Sequence, residues 1–102
     1  MDFSRIEGFD WDKGNARKNE KHGVAQAEIE QVFHNAPLIV AEDGKHSRIE
    51  ARYHALGQTD SGRRLHVTFT LRRSETFIRP ISGREMSVKE RTIYEKALKS
   101  YS

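Results

Sequence analysis

The sequence predicts an α+β domain in which a small antiparallel sheet packs against helices. Apolar residues recur every three or four positions over about 26–35, which is typical of a helix. Between Leu65 and Leu71 they alternate with polar residues, which is typical of a half-buried strand. Because the predicted strands follow one another while the helices lie before and after them, the pattern favours separate layers. At 102 residues we expect one domain, 1–102.

The first half of the chain predicts a short strand and two helices. Residues 9–12 form an extended lead-in, and Asp12 can cap a polar helix over about 13–22. Gly23 then ends that helix, because glycine readily adopts the left-handed conformation found there. The second helix, about 26–35, is amphipathic and faces the core. Its core-facing residues are Ala25, Ile29, Val32 and Phe33.

The second half predicts further strands and a last helix. The strands are expected at about 38–40, 49–58, 65–71 and 76–81. Ser87 and Glu90 have the spacing of a capping box, so a helix begins there. Its apolar residues are Ile93, Tyr94, Ala97, Leu98 and Tyr101, and we expect them to share one face. The predicted order is therefore β-α-α-β-β-β-β-α.

Composition limits the classes of function. The chain has no cysteine, which excludes disulfides and zinc sites built on thiolates. Its apolar runs are too short to span a membrane, and the acidic N-terminal segment lacks a signal-peptide core, so we expect a cytoplasmic protein. The five histidines lack the short spacings of a local metal site. We therefore predict no metal and no other cofactor.

Charge is distributed unevenly along the chain. Residues 1–62 contain 8 Lys and Arg against 11 Asp and Glu, whereas residues 63–102 contain 10 against 4. A basic half on a small domain indicates a nucleic acid or an acidic protein partner. The alternative is a charged surface that serves only solubility.

Five short segments resemble the BrnT family of bacterial type II toxins when taken in order. They are FDWDKGN (9–15), KHGV (21–24), EIEQVF (28–33), ARYHALG (51–57) and ISGREMSVKERTIYE (81–95). The resemblance implies a RelE-like fold, a small twisted antiparallel sheet packed with helices. It also implies a ribonuclease that cuts RNA without a metal ion, blocks translation and is silenced by an antitoxin.

The same resemblance implies the partners. They are an RNA substrate and a BrnA-like antitoxin that binds DNA, so operator DNA would be contacted indirectly, through the antitoxin. The chain departs from the family pattern at Gly83, where most relatives have alanine, and at Pro80, where most have an aliphatic residue. Because proline lacks the N–H of a strand ladder, Pro80 predicts a bulge or an edge position.

Metal-independent RNA cleavage needs a base, an acid and cations that stabilise the transition state. We expect Arg79 and Arg84 to supply the cations, and His22 with Lys21 to be the other catalytic residues. The guanidinium groups should converge on one spot near the C-terminal end of the sheet. The residues expected to bind the substrate are Arg72, Lys18, Asn15 and Arg52.

Each of these residues also has a structural interpretation. Arg79 could form an ion pair with Glu50 or Glu90, and His22 could simply interact favourably with a helix C-terminus. Glu90 is a possible base, although the capping box already explains it. His54 and His66 are second choices as acid or base, or are plain residues of a sheet surface. Tyr53 and Tyr94 could stack on bases but lie on apolar faces typical of a core.

The function also has an alternative. The chain could be a nucleic-acid-binding module without catalysis, or a co-repressor that acts only in complex with the antitoxin. Binding through phosphates alone would depend steeply on salt and yield no cleavage product.

Overall fold

A computed structural model describes residues 3–20, 22–44 and 50–101 and confirms the α+β class. A short 3-10 helix at Phe3–Arg5 precedes the other elements. The strands are β1 (Gly8–Phe9), β2 (Ile39–Glu42), β3 (Arg52–Gln58), β4 (Arg64–Arg72) and β5 (Phe77–Glu85). The helices are α1 (Lys13–Glu20), α2 (Gln26–His34) and α3 (Val88–Tyr101). No helix in the described ranges has the length and apolar character to cross a membrane.

The five strands form one sheet in the order β1-β5-β4-β3-β2. Strands β2 to β5 pair antiparallel, but β1 runs parallel to β5, so the expectation of a purely antiparallel sheet is wrong. Two helices separate β1 from β2, so no tight turn forces β1 to run antiparallel to its neighbour. Backbone bonds from Glu7 N to Thr76 O (2.7 Å) and from Asp10 N to Ile78 O (2.8 Å) hold the parallel pairing.

Helix α2 covers one face of the sheet and forms the main core with it. The core residues are Val24, Ile29, Val32, Ala55, Leu65, Val67, Phe69 and Ile78. Tyr53 stacks on Phe69 at a ring-centroid distance of 5.4 Å, which agrees with its predicted place in the core. At Gly57 of β3, an added Cβ would lie 2.7 Å from Cγ1 of Val32. The helix therefore packs directly on the backbone of the sheet.

Strand β5 contains a bulge beside Pro80, as predicted. Phe69 pairs with Pro80 and Thr68 with Ser82, which leaves Ile81 as the extra residue. The strand also extends to Glu85, four residues beyond its predicted end. Its last part is polar because alternate residues face away from the main core, and a polar segment of this kind resembles a loop in the sequence.

The first helix begins as predicted and ends at Glu20, before its predicted end. Asp12 Oδ1 accepts a hydrogen bond from Asn15 N (3.0 Å), and Asn15 Oδ1 accepts one from Asp12 N (2.7 Å). Gly23 has φ +70° and so adopts the left-handed conformation. The last residues of the predicted helix differ, because His22 lies in a turn and Lys21 is outside the described residues.

Helix α3 begins at the predicted capping box, but two of its large apolar side chains stay exposed. Its capping box is confirmed, since Glu90 Oε1 accepts from Ser87 N at 2.9 Å and Ser87 Oγ accepts from Glu90 N at 3.2 Å. Tyr94 is fully buried against Leu56, but Ile93 remains 45% exposed and Tyr101 63%. Helix α3 therefore meets the sheet over only part of its apolar face.

Candidate active site

The sheet face opposite α2 presents polar side chains in rows that cross β3, β4 and β5. The rows are Leu56–His66–Arg84, His54–Thr68–Ser82 and Arg52–Thr70–Arg79. Residues in one row are direct neighbours, and alternate residues of a strand share a face. Arg72 follows Thr70 on the same side at the end of β4. Two histidines thus lie among four arginines on one surface.

His54 and His66 are in ring contact, with centroids 4.9 Å apart. Nε2 of His54 lies 2.9 Å from Oδ2 of Asp43, and Nδ1 lies 3.1 Å from the Thr68 hydroxyl. Because an ionised carboxylate only accepts, Nε2 carries the proton in neutral His54 and Thr68 donates to Nδ1. Asp43 therefore determines both the tautomer and the orientation of His54.

His66 is buried, with 9% of its surface exposed. Its Nδ1 has no hydrogen-bond partner among the described residues. Burial lowers the pKa of His66 below its usual value, and the nearby charge of Arg84 lowers it further. The ring is therefore neutral near pH 7 and can accept a proton.

Arg84 forms a two-pronged ion pair with Glu90 at the start of α3. Nη1 lies 2.8 Å from Oε1 and Nη2 2.9 Å from Oε2. The hydrogen bonds from Arg84, followed by the one from Ser87 N, lower the pKa of Glu90 to about 2. Since 46% of the Arg84 side chain is exposed, an anion in solution can reach the guanidinium.

An open pocket of about 570 Å³ lies between β2 and α3 beside this pair. Its polar lining consists of His54, His66 and Glu90, and the rest is aliphatic. The described residues contain no group of three or more His, Cys, Asp or Glu placed to hold a metal ion. The polar groups present can accept a proton, donate a proton and bind an anion.

The arginines do not converge on one spot, which corrects the prediction. Nη2 of Arg79 lies 2.6 Å from Oδ2 of Asp12, and Nη1 lies 3.5 Å from Oδ1 of Asp10. Arg72 pairs with Glu50 instead. On β5, Arg79 and Arg84 are five residues apart, a span on the order of 15 Å at the usual strand rise. They share a face, yet each is held by a different carboxylate.

Comparison with known families tests the resemblance seen in the sequence. The model described as "Ribonuclease toxin, BrnT, of type II toxin-antitoxin system" matches residues 11–90. The chain belongs to the BrnT family. A comparison with curated proteins found no match. The matched part of this BrnT-family chain contains both histidines, Asp43, Arg84 and Glu90.

The structure describes the surroundings of two residues of this BrnT-family chain that were predicted to bind substrate, Asn15 and Arg52. Asn15 is 7% exposed, and its Nδ2 donates to the carbonyls of Asp10 (3.1 Å) and Pro80 (3.0 Å). Its amide therefore joins α1 to the sheet, and its predicted role in binding substrate remains a prediction. Arg52 is exposed on the polar face, where its predicted role remains a prediction.

The catalytic roles predicted around the end of α1 remain predictions. His22 is exposed in the turn after the helix. Lys21 and the side chain of Lys18 lie outside the described part of the chain.

Sequence reasoning did not anticipate the contact between His54 and His66. They are twelve positions apart, and neither has a local partner that marks it. A signal was available in the hairpin of β3 and β4, where Leu56 pairs with His66 and His54 with Thr68. A symmetric hairpin centred on residue 61 places the two histidines diagonally on one face.

Proposed function

We propose that this BrnT-family protein cleaves single-stranded RNA by transphosphorylation without a metal ion, and that this cleavage inhibits translation. The observation that supports the proposal is the contact between His54 and His66 beside Arg84 on an open polar face. Together these residues offer a proton acceptor, a proton donor and a phosphate ligand. Membership of a ribonuclease toxin family supports the same chemistry.

In the proposed reaction, His66 takes the proton from the 2′-hydroxyl of the substrate. The 2′-oxygen attacks the neighbouring phosphorus, and the bond to the 5′-oxygen breaks, which leaves a 2′,3′-cyclic phosphate. Protonated His54 gives its proton to the leaving 5′-oxygen. Asp43, 2.9 Å from Nε2, stabilises the positive charge that His54 carries before this transfer.

Arg84 would stabilise the additional negative charge on the phosphate in the transition state. Its planar fork already makes two parallel bonds to a carboxylate, the geometry that a phosphate also offers. The substrate must therefore replace Glu90 as the partner of Arg84. Preorganised cations of this kind are often the largest single contribution to catalysis.

The remaining arginines of the face would bind the RNA strand outside the reaction centre. Arg52 and Arg79 lie in the third row, and Arg72 lies at the end of β4. A basic face that binds backbone phosphates is typical of proteins that hold single strands. We retain Arg79 as a substrate ligand, although its present partners are Asp10 and Asp12.

We further propose a RelE-like architecture and a BrnA-like antitoxin as the partner. Family membership implies an antitoxin, and the positive C-terminal half of the chain favours an acidic segment of it. Operator DNA would then be bound by the antitoxin and not by this chain.

The test measures RNA cleavage by the purified protein in EDTA and bacterial growth when the chain is expressed alone. We expect products ending in 2′,3′-cyclic phosphate, and growth arrest. His66→Gln, His54→Gln and Arg84→Gln should each reduce the rate at least about a hundredfold, the usual scale for a lost proton-transfer or charge-stabilising group.

The matched control is His34→Gln, an exposed histidine at the end of α2, which should keep the rate and the arrest. His22→Ala separates this proposal from the site predicted from sequence. Intact RNA after long incubation with the folded unmodified protein would overturn the proposal. Salt-dependent binding without products would establish the non-catalytic alternative.

A further inference from the structure

The proposed reaction uses the histidines and Arg84 but leaves the aliphatic half of the adjoining pocket unexplained. Four aliphatic side chains line it: Ile39, Ala41, Leu56 and Ile93. Ile93 is one of the exposed large hydrophobic residues of the described chain, at 45% exposure. Apolar surface left open beside a polar site commonly marks the binding of an apolar part of a ligand.

We propose that this pocket binds one of the two nucleobases flanking the scissile phosphate and prefers a purine. The inference rests on the proposed function, because the same two histidines form the boundary between pocket and reaction centre. The occupant would be an unpaired base of single-stranded RNA, since a base within a duplex cannot leave its stack without cost.

The position of the pocket favours a base over other apolar groups. His54 and His66 line it, and Arg84 lies beside His66 in the same row. A phosphate held by Arg84 would therefore bring an adjacent base to the pocket mouth. The volume of about 570 Å³ is in the range of small-ligand pockets and accommodates a base with its ribose.

His66 is the second observation that points to a ligand here. It is more than nine-tenths buried, and its Nδ1 lacks a hydrogen-bond partner among the described residues. Leaving a buried polar atom without a partner costs free energy, and a bound group that supplies the partner recovers it. A ligand group that reaches this nitrogen, such as the edge of a nucleobase, would supply the missing partner.

The preference for a purine follows from the shortage of other free polar groups. Both oxygens of Glu90 accept from Arg84, and one also accepts from Ser87 N. Both ring nitrogens of His54 have partners as well. Because few polar groups remain free to hydrogen-bond with the edge of a base, the pocket would discriminate between bases by the apolar area that each buries. The two-ring base buries more apolar surface than the one-ring base.

The first experiment uses DNA oligonucleotides that contain a single ribonucleotide, so that only one bond can be cleaved. The bases on both sides of that bond are varied, and rates are measured in EDTA. We expect a purine to be preferred at one of the two positions by about tenfold, the scale of small changes in apolar contact. Ile93→Ala should reduce that ratio to about threefold or less.

The matched control is Val88→Ala on the same helix, a residue that is 83% exposed and does not line the pocket. It should keep the purine preference. Equal cleavage at purines and pyrimidines by the unmodified protein would overturn the pocket assignment while leaving the nuclease proposal intact. The same holds if the preference survives Ile93→Ala.

A binding measurement tests the pocket without relying on cleavage. The probe is a 2′-O-methyl RNA that cannot react and carries the fluorescent purine 2-aminopurine. We expect its emission to change on binding to the unmodified protein and to Val88→Ala, and to change much less with Ile93→Ala. No change with the unmodified protein would overturn the inference. So would an Ile93→Ala defect confined to antitoxin binding, since the pocket would then be a protein-docking surface.

Discussion

The carboxylate of Glu90 takes part in two structural features, and its Oε1 is shared by both. It accepts from Ser87 N to begin α3, and it holds the guanidinium of Arg84 with two further bonds. Within the proposed function, the carboxylate occupies the place that a phosphate needs. Glu90 therefore links the start of a helix to the charge available for binding RNA.

Glu90→Gln should tighten the binding of a non-cleavable RNA by about two- to fivefold, the scale of one exposed ion pair. Glutamine keeps the capping box but removes the negative charge that competes with phosphate. Dissociation constants measured at fixed salt check this. Glu95→Gln is the control, since Glu95 lies on the same helix and the change removes the same charge from an exposed pair with Arg64 of β4. Weaker binding by Glu90→Gln would contradict the competition.

The ion pair of Glu90 should also make stability depend on pH. Because the pKa of Glu90 falls from 4.5 to about 2 on folding, its contribution is fully present above pH 4.5 and is lost as the pH falls toward 2. Urea midpoints at several pH values measure this. Glu90→Gln should show a smaller loss of stability over that window. An unchanged slope would mean that the pair adds nothing to the folded state.

The lowered pKa of His66 predicts the pH dependence of cleavage. Burial is the main cause and Arg84 the second, so the rate should fall on the acid side only below pH 6.5, as the base becomes protonated. Arg84→Gln should move this acid limb to higher pH, in addition to lowering the rate. Arg79→Gln is the control, because Arg79 is not among the groups that shift His66. An acid limb at the same pH in both variants would contradict the role of His66 as base.

At the scale of elements, the close packing of α2 on the sheet depends on two strand glycines. A Cβ at Gly57 would meet Cγ1 of Val32 at 2.7 Å and its backbone oxygen at 3.2 Å. A Cβ at Gly83 would meet the end of the Ile29 side chain, Cδ1, at 2.8 Å. Backbone cannot move aside as a side-chain end can, so the two positions differ in tolerance.

Gly57→Ala should therefore destabilise the protein by about 1–3 kcal/mol, the range for an overpacked core. Gly83→Ala should cost less than about 1 kcal/mol, because Ile29 can adjust its terminal methyl group. The measurement is the free energy of unfolding in urea for both variants. The reverse order would show that Ile29 is held more rigidly than Val32.

At the scale of the whole molecule, the arginines of the C-terminal half fall into two groups, those on the polar face and those that stabilise the fold. The C-terminal half supplies Arg72, Arg79 and Arg84 to the polar face, although each has a carboxylate partner there. Arg63 serves the fold instead, because it bonds Glu28, Glu85 and the carbonyl of Gly23. Net charge therefore overstates the positive charge that the polar face presents to a partner.

The salt dependence of RNA binding should distinguish the arginines of the polar face from Arg63. Arg84→Gln and Arg72→Gln should each lower the slope of log affinity against log salt by about 0.7, the value for one phosphate contact on a single strand. Arg63→Gln should lower stability and leave the slope unchanged. If all three variants kept the slope of the unmodified protein, the polar face would not bind phosphates.

Local patterns predicted the ends and faces of several elements. The Asp12 cap, the left-handed Gly23, the Ser87–Glu90 capping box and the Pro80 bulge each depend on neighbouring residues, and each is confirmed. The α+β class followed from periodicity in the same way. These features are short-range, so the order of residue types is enough to specify them.

Residues that meet through pairing between distant segments could not be placed in this manner. Asn15 is polar and was expected at the surface, yet it bonds the Pro80 carbonyl on a strand sixty-five positions away. β1 pairs with β5 although every other strand and two helices lie between them in the chain, and Asp43 reaches His54 because β2 pairs with β3. Chemistry at this site depends on distances of about 3 Å between such segments, and strand register is what sets those distances. The order of residues thus specified the family, the class of fold and the local caps, whereas the assembled sheet selected which arginines and histidines share a site.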